Sequence, residues 1–446
     1  MSILSRKTPF VLLIGDLLCF SVALWLTLLI RYGALPEQAL FHDHLSAFSY
    51  LFVIWVAVYF ISGLYERRAV LFQTALPQML VTAQVVNLGI AAIFFYFAPF
   101  ISIAPKTNLV LYLLISSVLI LLWRTTLYRL LIRSKRENAL IIGGGAEIGE
   151  LVREMNGNPY YHLRIVDSID LDTTPAPAAN QKIAHLMKDG SVSAIIIDFY
   201  NARAQGILPE LYNLLLAKVR FIDMHAVYEN VFNRTALSLL THSWFLENVS
   251  AYPKHVYESF KRLMDIAAAL VCGAISLVFY PFVALAIKLD DGGQVFIVQE
   301  RVGKDGKIIR IPKFRSMKAS DRGVWVKEGD ERITRVGKVL RKSRIDEFPQ
   351  LWSVLKGDMS FVGPRPDIRD LGMKLSEAIP YYTLRNVIKP GLSGWAQIRQ
   401  DVVPQSLEET KERLAYDFYY IKHRSLFLDL KVMLQTVATL ASRVGR

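Results

Sequence analysis

The chain has 446 residues, of which 53% are hydrophobic, and its mean hydropathy is +0.31. This composition predicts a substantial membrane-embedded part. The two cysteines, Cys19 and Cys272, lie in apolar stretches, which excludes a disulfide framework or a cysteine-rich metal site. The net charge is +13, and residues 258–446 supply +10 of it, with 32 Lys and Arg against 22 Asp and Glu. A basic region needs an anionic partner, and the apolar segments favour a phosphorylated substrate or a lipid surface over nucleic acid.

Four long apolar segments open the chain, each near the ~20 residues that a membrane-spanning helix needs. They are residues 9–30, 46–65, 78–100 and 108–132. The first is too long for a cleaved signal peptide and is interpreted as an anchor. Basic residues lie before the first segment and after the second and fourth: Arg6, Lys7, Arg67, Arg68, Arg129, Arg133, Lys135 and Arg136. Glu37 and Asp43 are assigned to the first loop, and the third loop carries only Lys106. The positive-inside rule therefore places both ends of this unit, residues 1–136, in the cytoplasm.

A soluble α/β pattern follows, over residues 137–255. Four buried-strand runs are predicted, with a helix after the first and another between the last two: Ala139–Ile142, Leu163–Val166, Ala194–Asp198 and Val219–Asp223, with helices at Glu150–Met155 and Ile207–Lys218. The glycine turn Gly143–Gly149 resembles a dinucleotide loop, but its last glycine falls one position late for G-x-G-x-x-G. Asp167 and Asp170 are candidate ribose acids. Both a nucleotide site and a degenerate Rossmann-like module used for packing remain open.

Residues 256–446 form the predicted third domain, which begins with an apolar run at residues 263–287. Lys261 and Arg262 precede this run, and Lys288 follows it. Because both flanks are basic, a helix that enters the membrane and returns on the cytoplasmic side fits better than a fifth span. Pro281 is the expected break, since proline removes a backbone donor and clashes with the preceding turn.

The acidic pair Asp346-Glu347 is the main candidate for chemistry. Three basic residues within five positions upstream, Arg341, Lys342 and Arg344, can neutralise two adjacent carboxylates that would otherwise repel each other. One carboxylate of such a pair can attack while the other holds a metal ion. A charged, solvated helix face is the alternative interpretation.

Several basic residues nearby suit phosphate binding. In Gly363-Pro364-Arg365-Pro366 the prolines fix the backbone on either side of Arg365, so its guanidinium is oriented in advance. Lys313 and Arg315 alternate, which in a strand would place them on one face. Arg301 either joins them or pairs with Glu300. Beyond the Lys389-Pro390-Gly391 turn, Trp395 either offers a flat surface for a base or sugar or belongs to the core.

Six motifs in order then resemble the bacterial sugar transferase family, the polyprenyl-phosphate phosphoglycosyl transferases. They are QERVG at 299–303, KFRSM at 313–317, RITRVG at 332–337, the acidic stretch 341–351, KPGLSGWAQ at 389–397 and YDFYY at 416–420. Arg344-Ile345 departs mildly from the family pattern, as does Ile311-Pro312. The resemblance covers about residues 258–446 and implies a mostly helical monotopic catalytic domain with a re-entrant helix that ends at a proline, and with Asp265 near its start.

The resemblance also implies a reaction. The family moves a sugar-1-phosphate from a UDP-sugar to a membrane polyprenyl phosphate and releases UMP, with Mg²⁺ required. Asp346 matches its nucleophile, Glu347 its magnesium ligand, and Arg341 and Arg365 its phosphate-binding positions. The implied location is the bacterial inner membrane, with the catalytic domain on the cytoplasmic face. The extra domains are compatible with a homodimer.

Two other function classes remain as alternatives. A membrane-anchored NAD-dependent nucleotide-sugar dehydratase would share the apolar anchor and the glycine loop, and Tyr257 and Lys261 have the Tyr-x-x-x-Lys spacing of such enzymes. That pair directly precedes the apolar run, which disfavours this reading. A non-catalytic scaffold that binds polyprenyl lipid is the other alternative, disfavoured because every polar residue of the expected site is present.

Overall fold

The fold is described from a computed structural model. It covers residues 8–65, 76–97, 106–127, 136–158, 161, 163–188, 191–214, 219–249, 255–318, 332–400 and 404–444. Most of the basic flanks that indicate orientation, at positions 6, 7, 67, 68, 129, 133 and 135, lie outside these residues. The chain divides into two compact units, Met1–Val231 and Phe232–Arg446. The predicted division into three domains therefore stays a prediction.

Four helices in the first unit are long and apolar enough to cross a membrane. They are α1 (Thr8–Tyr32), α2 (Gln38–Ile61), α3 (Leu76–Phe97) and α4 (Lys106–Leu122), the last continued by a short π-helix at Trp123–Leu127. Helix α2 begins eight residues before the predicted apolar segment, because hydropathy marks the apolar part of a helix and not its polar first turns. Asp43, expected in a loop, consequently lies inside α2.

A buried ion pair lies inside this helical bundle. Arg124, in the π-helical turn, donates to both carboxylate oxygens of Asp16 on α1 and to the carbonyl of Leu64. Both charged side chains are almost fully buried. A paired, hydrogen-bonded charge of this kind is tolerated in an apolar interior, whereas an unpaired one is costly.

The α/β part of the first unit contains a parallel four-stranded sheet in the order β2-β1-β3-β4. The strands and helices are β1 (Glu137–Gly143), α5 (Glu147–Gly157), β2 (Leu163–Asp170), α6 (Ala176–Lys188), β3 (Ala194–Ile197), α7 (Leu208–Asn213), β4 (Arg220–Asp223) and α8 (Met224–Phe232). All four strands lie where the apolar runs predict them. The end of the predicted helix at 207–218 lies outside the described residues.

The second unit begins with α9 (His242–Asn248) and a bent helix pair, α10 (His255–Leu277) and α11 (Tyr280–Asp291). The two axes meet at 54°. The break lies where the sequence predicts it, with Pro281 in the first turn of α11, the place where a proline costs no hydrogen bond. Asp265, buried on α10, accepts hydrogen bonds from the Ser360 hydroxyl at 2.8 Å and the Phe361 amide at 2.9 Å.

The rest of the second unit packs short elements around these helices. An antiparallel hairpin, β5 (Phe296–Val302) and β6 (Ile308–Phe314), precedes the elements that carry the acidic pair. The later elements are α12 (Arg335–Ser343), a 3₁₀-helix (Ile345–Gln350), α13 (Leu351–Lys356), β7 (Ser360–Val362), α14 (Arg369–Ala378), a 3₁₀-helix (Tyr382–Val387), β8 (Gly391–Ser393), α15 (Trp395–Arg399), α16 (Leu407–His423) and α17 (Leu426–Val444). Strands β7 and β8 pair in parallel.

Candidate active site

A sharp change of backbone direction presents the acidic pair. Thr334 caps the start of α12, its hydroxyl accepting from the Gly337 amide at 2.9 Å. The helix ends at Ser343 because Arg344 adopts a left-handed conformation with φ of 57°. Non-glycine residues rarely adopt this conformation, which costs roughly 1 kcal/mol or more. The turn starts the 3₁₀-helix in which Asp346 and Glu347 lie.

Asp346 is a buried carboxylate with one unsatisfied oxygen. Its side chain is 6% exposed, and in the described part of the chain its Oδ1 has no hydrogen-bond partner. Burial and the negative charge of Glu347 raise the pKa of Asp346 to about 6, against the opposing charges of Lys313, Arg341 and Arg344. Asp346 is therefore largely ionised near neutral pH, and its Oδ1 keeps an unused acceptor position although this oxygen is buried from solvent.

Glu347 differs from its neighbour because two arginines bind it. Arg365 donates from Nη2 to Oε1 at 2.5 Å and from Nη1 to Oε2 at 3.3 Å, and Arg344 donates to Oε1 at 3.2 Å. Burial alone would raise the pKa of Glu347, but the charges of Arg365, Arg344 and Arg301 outweigh it and lower that pKa to about 2. The surroundings thus raise the pKa of Asp346 and lower the pKa of the adjacent Glu347.

A buried network holds the backbone of Arg365. Arg385 donates from Nη2 to the Arg365 carbonyl at 2.8 Å and to Asp417 at 2.7 Å, and it also pairs with Asp367. Arg413 donates to Asp367 at 2.8 Å. These charged groups are almost fully buried, so the two arginines and two aspartates neutralise one another. The network fixes the chain on either side of Pro366 and thereby the origin of the Arg365 side chain.

Three further basic residues predicted from the sequence lie around the acidic pair. Arg301 donates to the Pro366 carbonyl at 2.8 Å, and its charge contributes to the lowered pKa of Glu347. Lys313 on β6 and Arg341 on α12 act on Asp346 in the same direction. Arg301, Lys313, Arg341 and Arg365 therefore converge on the Asp346-Glu347 pair.

Arg315 does not join this group. Strand β6 ends at Phe314, and the Arg315 amide continues the pairing with the β5 side by donating to the Val295 carbonyl at 2.9 Å. The Arg315 guanidinium pairs with Asp291 at the end of α11 and donates to the Met317 carbonyl at 3.3 Å. It lines a cleft of about 650 Å³ that Gln299 and Asp370 also border, and Gln299 accepts from Arg301.

The structure bears on two further expectations from the sequence, which concern Trp395 and the pair Tyr257 and Lys261. Trp395 is 1% exposed, packs in a core cluster with Val362 and Tyr420, and donates its indole N–H to the Asn233 carbonyl at 2.9 Å. It is a core residue, so the interpretation of Trp395 as a surface for a base or sugar is wrong. Tyr257 and Lys261 both bind Asp429 Oδ2, at 2.8 and 3.1 Å.

Arg344 and Arg385 are site residues that the sequence interpretation did not select. The signal for Arg344 was present, because it is one of the three basic residues counted upstream of Asp346. Only the left-handed turn shows that it reaches forward to Glu347. Arg385 carried no such signal, since it lies 20 positions from Arg365 along the chain.

A magnesium ion at the acidic pair would need ligands from the substrate as well as from the protein. Among the described residues no group of three His, Cys, Asp or Glu side chains is close enough to hold a metal alone. Mg²⁺ in phosphoryl-transfer sites is commonly bound by one or two carboxylates together with substrate phosphates. The unsatisfied Oδ1 of Asp346 is one such carboxylate donor, whereas both oxygens of Glu347 accept from arginines, so a Mg²⁺ ion at Glu347 would share that carboxylate with Arg344 and Arg365.

The glycine loop of the α/β part has an internal partner. The Gly145 amide donates to Asp172 Oδ2 at 3.0 Å, and Asp172 pairs with Arg203 at 3.4 Å. A carboxylate of the chain thus binds the amide that would face a phosphate in a dinucleotide loop. The candidate ribose acids are also engaged: Asp167 pairs with Lys182, and Asp170 accepts from the Asp172 amide.

Comparison with known proteins agrees with the geometry of the second unit. Residues 256–443 match the family described as Bacterial sugar transferase. The chain is 44% identical over 202 residues to a UDP-N-acetylgalactosamine-undecaprenyl-phosphate N-acetylgalactosaminephosphotransferase of Aeromonas hydrophila, covering 44% of this chain and 47% of that protein. It is 30% identical over 319 residues to an undecaprenyl-phosphate glucose phosphotransferase of Komagataeibacter xylinus, covering 67% of this chain and 58% of that protein.

A shorter relative is matched over most of its length. The chain is 40% identical over 192 residues to a UDP-glucose:undecaprenyl-phosphate glucose-1-phosphate transferase of Caulobacter vibrioides, covering 42% of this chain and 72% of that protein. The chain therefore spans about half the length of the first two relatives and nearly three quarters of the third. The matched region contains the acidic pair and the arginines that surround it. The chain belongs to the bacterial sugar transferase family.

Proposed function

We propose that this chain transfers a sugar-1-phosphate from a UDP-sugar to a polyprenyl phosphate such as undecaprenyl phosphate. The products are a polyprenyl-diphosphate-sugar and UMP. The relatives' names support this reaction class, since they combine an undecaprenyl-phosphate acceptor with a hexose phosphate group. The reaction would begin the assembly of a polysaccharide or glycoconjugate.

The observation that carries the proposal is the contrast within the acidic pair. Asp346 is buried, ionised near neutral pH and has one unsatisfied oxygen, while Glu347 is bound by Arg344 and Arg365. A nucleophile needs a lone pair that no hydrogen bond occupies, and a residue that positions a metal ion or an arginine needs fixed partners. Asp346 meets the first requirement, and Glu347 meets the second.

The proposed chemistry has two displacements at one phosphorus atom. In the first, Asp346 Oδ attacks the β-phosphorus of the UDP-sugar, and the bond from that phosphorus to the bridging oxygen breaks, releasing UMP. The resulting acyl phosphate carries the sugar. In the second, an oxygen of the polyprenyl phosphate attacks the same phosphorus, and the bond to Asp346 breaks, which restores the carboxylate. Two easier steps replace one difficult step between anions.

The surrounding cations would stabilise the charge that both steps carry. Arg365, Arg341, Lys313 and Arg301 surround the pair and provide planar or point charges for the phosphate oxygens. Mg²⁺ held by Glu347 and the substrate diphosphate would add further neutralisation. Arg315 stays a proposed phosphate-binding residue, which would share its guanidinium between Asp291 and the substrate.

We also propose a membrane arrangement for the chain. The four apolar helices would span the bacterial inner membrane, and the bent pair α10–α11 would enter and return on the cytoplasmic side. A bend of 54° at Pro281, with Lys261 before the apolar run and Lys288 after it, supports a returning helix more than a straight crossing. The second unit would then face cytoplasmic UDP-sugars.

The α/β part is proposed to be a Rossmann-like module used for packing or dimerisation. The engagement of its glycine loop by Asp172 supports this over dinucleotide binding. It also weighs against the dehydratase alternative, as does the binding of Tyr257 and Lys261 to Asp429.

The test is a UMP-release assay on the purified chain in detergent with Mg²⁺ and polyprenyl phosphate. A panel of UDP-glucose, UDP-galactose and UDP-N-acetylgalactosamine identifies the donor. UMP formation with at least one donor is expected, and it should be coupled to a lipid-linked diphosphate product. Absence of UMP with every donor would support the scaffold alternative, and loss of water from the sugar would support the dehydratase.

A further inference from the structure

A basic cleft lies at the start of the bent helix pair, away from the acidic pair. It has a volume of about 550 Å³ and is bordered by residues of α10, the β5–β6 turn and the turn before β8. Its cationic residues are Lys261, Arg262, Lys304, Lys389 and Arg424, and its acidic residues are Glu258 and Asp265. The cations thus outnumber the carboxylates in the lining.

Carboxylates of the protein pair with only some of the cations that line this cleft. Lys261 pairs with Asp429 at 3.1 Å, and Asp265 is engaged by β7. Arg262 donates to the carbonyls of Val354 and Leu355, both at 2.6 Å, at the carboxyl end of α13, where the helix dipole favours a cation.

The lysines of the cleft lie close to other positive charges, and this affects the pKa of Lys389. Lys304 and Lys389 both have exposed side chains. Partial burial of the amine and then the positive charges of Arg262 and Lys304 lower the pKa of Lys389, although Asp265 and Asp358 oppose the shift. The cleft therefore has a local excess of positive charge that an anion would relieve.

An apolar cleft adjoins the basic one and shares three residues with it. It measures about 850 Å³ and is bordered by His255, Val256, Tyr257, Phe260, Arg424, Ser425, Leu426 and Phe427. Val256, Phe260 and Phe427 are exposed, and Leu263 extends the same apolar surface along α10. Exposed apolar side chains beside a cationic cleft have the composition of a membrane interface.

The two clefts are separate from the catalytic pair. Arg262 binds the carbonyl end of α13, whereas Asp346 and Glu347 lie in the 3₁₀-helix before that helix. Neither cleft is bordered by Asp346, Glu347 or Arg365.

We propose that the adjoining clefts bind one anionic phospholipid of the surrounding bilayer, with its phosphate near Lys304 and Lys389 and its acyl chains along Val256, Phe260 and Phe427. Charge complementarity selects the headgroup, and the continuous apolar surface selects a lipid over a soluble phosphate. The bound lipid would hold the start of α10 at the membrane surface. The proposal does not depend on sugar transfer, so it can fail or succeed independently of the proposed reaction.

The test measures lipid retention by the purified full chain. Delipidated protein in detergent is mixed with equal amounts of phosphatidylglycerol and phosphatidylcholine with the same acyl chains, and native mass spectrometry counts the bound lipids. The key variant is Lys304→Gln/Lys389→Gln. The matched control is Lys338→Gln/Lys374→Gln, which removes two exposed lysines outside the clefts.

We expect wild type and the control to retain one phosphatidylglycerol in preference to phosphatidylcholine. The key variant should lose roughly fivefold in retention per lysine, on the order of 25-fold in total. Equal retention of the two lipids by wild type, or unchanged retention by the key variant, would overturn the proposal.

Two competition arms distinguish the sources of phosphate. Displacement of the lipid by glycerol phosphate at equal concentration would show a soluble-phosphate site and overturn the lipid assignment. One-to-one displacement by an equal amount of polyprenyl phosphate would instead make the cleft an acceptor site. Resistance to both competitors is the expected result, and Phe260→Gln should then weaken phosphatidylglycerol retention without changing the preference for its headgroup.

Discussion

Arg365 and Glu347 form a bidentate pair, with Nη2 to Oε1 at 2.5 Å and Nη1 to Oε2 at 3.3 Å. The guanidinium fork that the Gly-Pro-Arg-Pro sequence suggests for a phosphate is thus already oriented by a carboxylate. A phosphate would share Arg365 with Glu347, and the carboxylate would keep the guanidinium in position while it does so.

The first prediction is that Arg365→Lys lowers kcat/KM for the UDP-sugar by roughly 100-fold, because lysine keeps the charge but loses the fork. UMP release at subsaturating donor measures the effect. Arg369→Lys is the matched control: Arg369 pairs with Glu300 at 3.2 Å on an exposed surface, so its change should stay within about twofold. An unaffected Arg365→Lys enzyme would reduce Arg365 to a structural partner of Glu347.

The second prediction concerns the covalent step. With UDP-sugar and Mg²⁺ but no lipid, the enzyme should release up to about one equivalent of UMP and retain the phosphosugar, because Asp346 completes the first displacement alone. Asp346→Asn removes the attacking anion at nearly constant size, so both the burst and the adduct should disappear. Rapid quench and intact-protein mass spectrometry measure the two.

Glu347→Gln serves as the comparison for that experiment. It should retain a burst but require more Mg²⁺, since an amide oxygen is a poorer ligand for a hard cation than a carboxylate. UMP release that depends wholly on added polyprenyl phosphate, with no mass increase on the protein, would indicate direct transfer and rule out the nucleophilic role of Asp346.

The third prediction follows from the pKa of Asp346, which burial and Glu347 raise to about 6. The reactive form is the anion, so kcat/KM should be constant above this pKa and fall as the pH drops through about 6. Lys313, Arg341 and Arg344 oppose the shift, so Lys313→Met should move the acid limb to higher pH. Lys318→Met, at an exposed lysine of the neighbouring cleft, should leave the limb in place. An identical profile in the Lys313 variant would assign the limb to another group.

The sequence predicted those parts of the site that depend on local pattern. Each of these parts is a short local motif whose residue types indicate its role. They are the acidic pair, the arginine between two prolines and the helix break at Pro281. Lys313 and Arg365 were selected from local pattern, Arg341 from the family resemblance, and Arg301 was left open between phosphate binding and pairing with Glu300; the structure brings all four near the acidic pair.

Other parts could not be predicted because they depend on distant contacts or on a single backbone angle. Arg315 was grouped with Lys313 by alternation, but its guanidinium is bound by Asp291, 24 positions away along the chain. Arg344 pairs with Glu347 across a turn that begins with its own left-handed backbone, with φ of 57°. The sequence left Trp395 open between a ligand surface and the core, and the packing of residues of α16 and α17 against it decides for the core.

The fourth prediction concerns stability. Asp16→Leu would leave Arg124 buried without its carboxylate, and breaking a buried pair in this way costs roughly 3–5 kcal/mol. Thermal unfolding of the chain in detergent should show the loss. Asp16→Leu/Arg124→Met removes both charges and should recover most of it. A double variant no more stable than the single one would mean that the Leu64 contact of Arg124, and not the ion pair, stabilises this turn.

The fifth prediction tests the returning helix. In a background with Cys19→Ser and Cys272→Ser, Leu35→Cys introduces an exposed thiol between α1 and α2, and Lys307→Cys introduces one in the turn after β5. The positive-inside rule places Leu35 on the periplasmic side of the inner membrane, and a helix that returns at Pro281 leaves Lys307 in the cytoplasm. An impermeant maleimide on intact cells should therefore label only the Leu35→Cys protein, while permeabilised cells should show both labelled.

Labelling of the Lys307→Cys protein in intact cells would establish α10–α11 as a fifth crossing. The basic surface of the second unit would then face away from cytoplasmic nucleotide sugars, and the proposed donor would have to change with it.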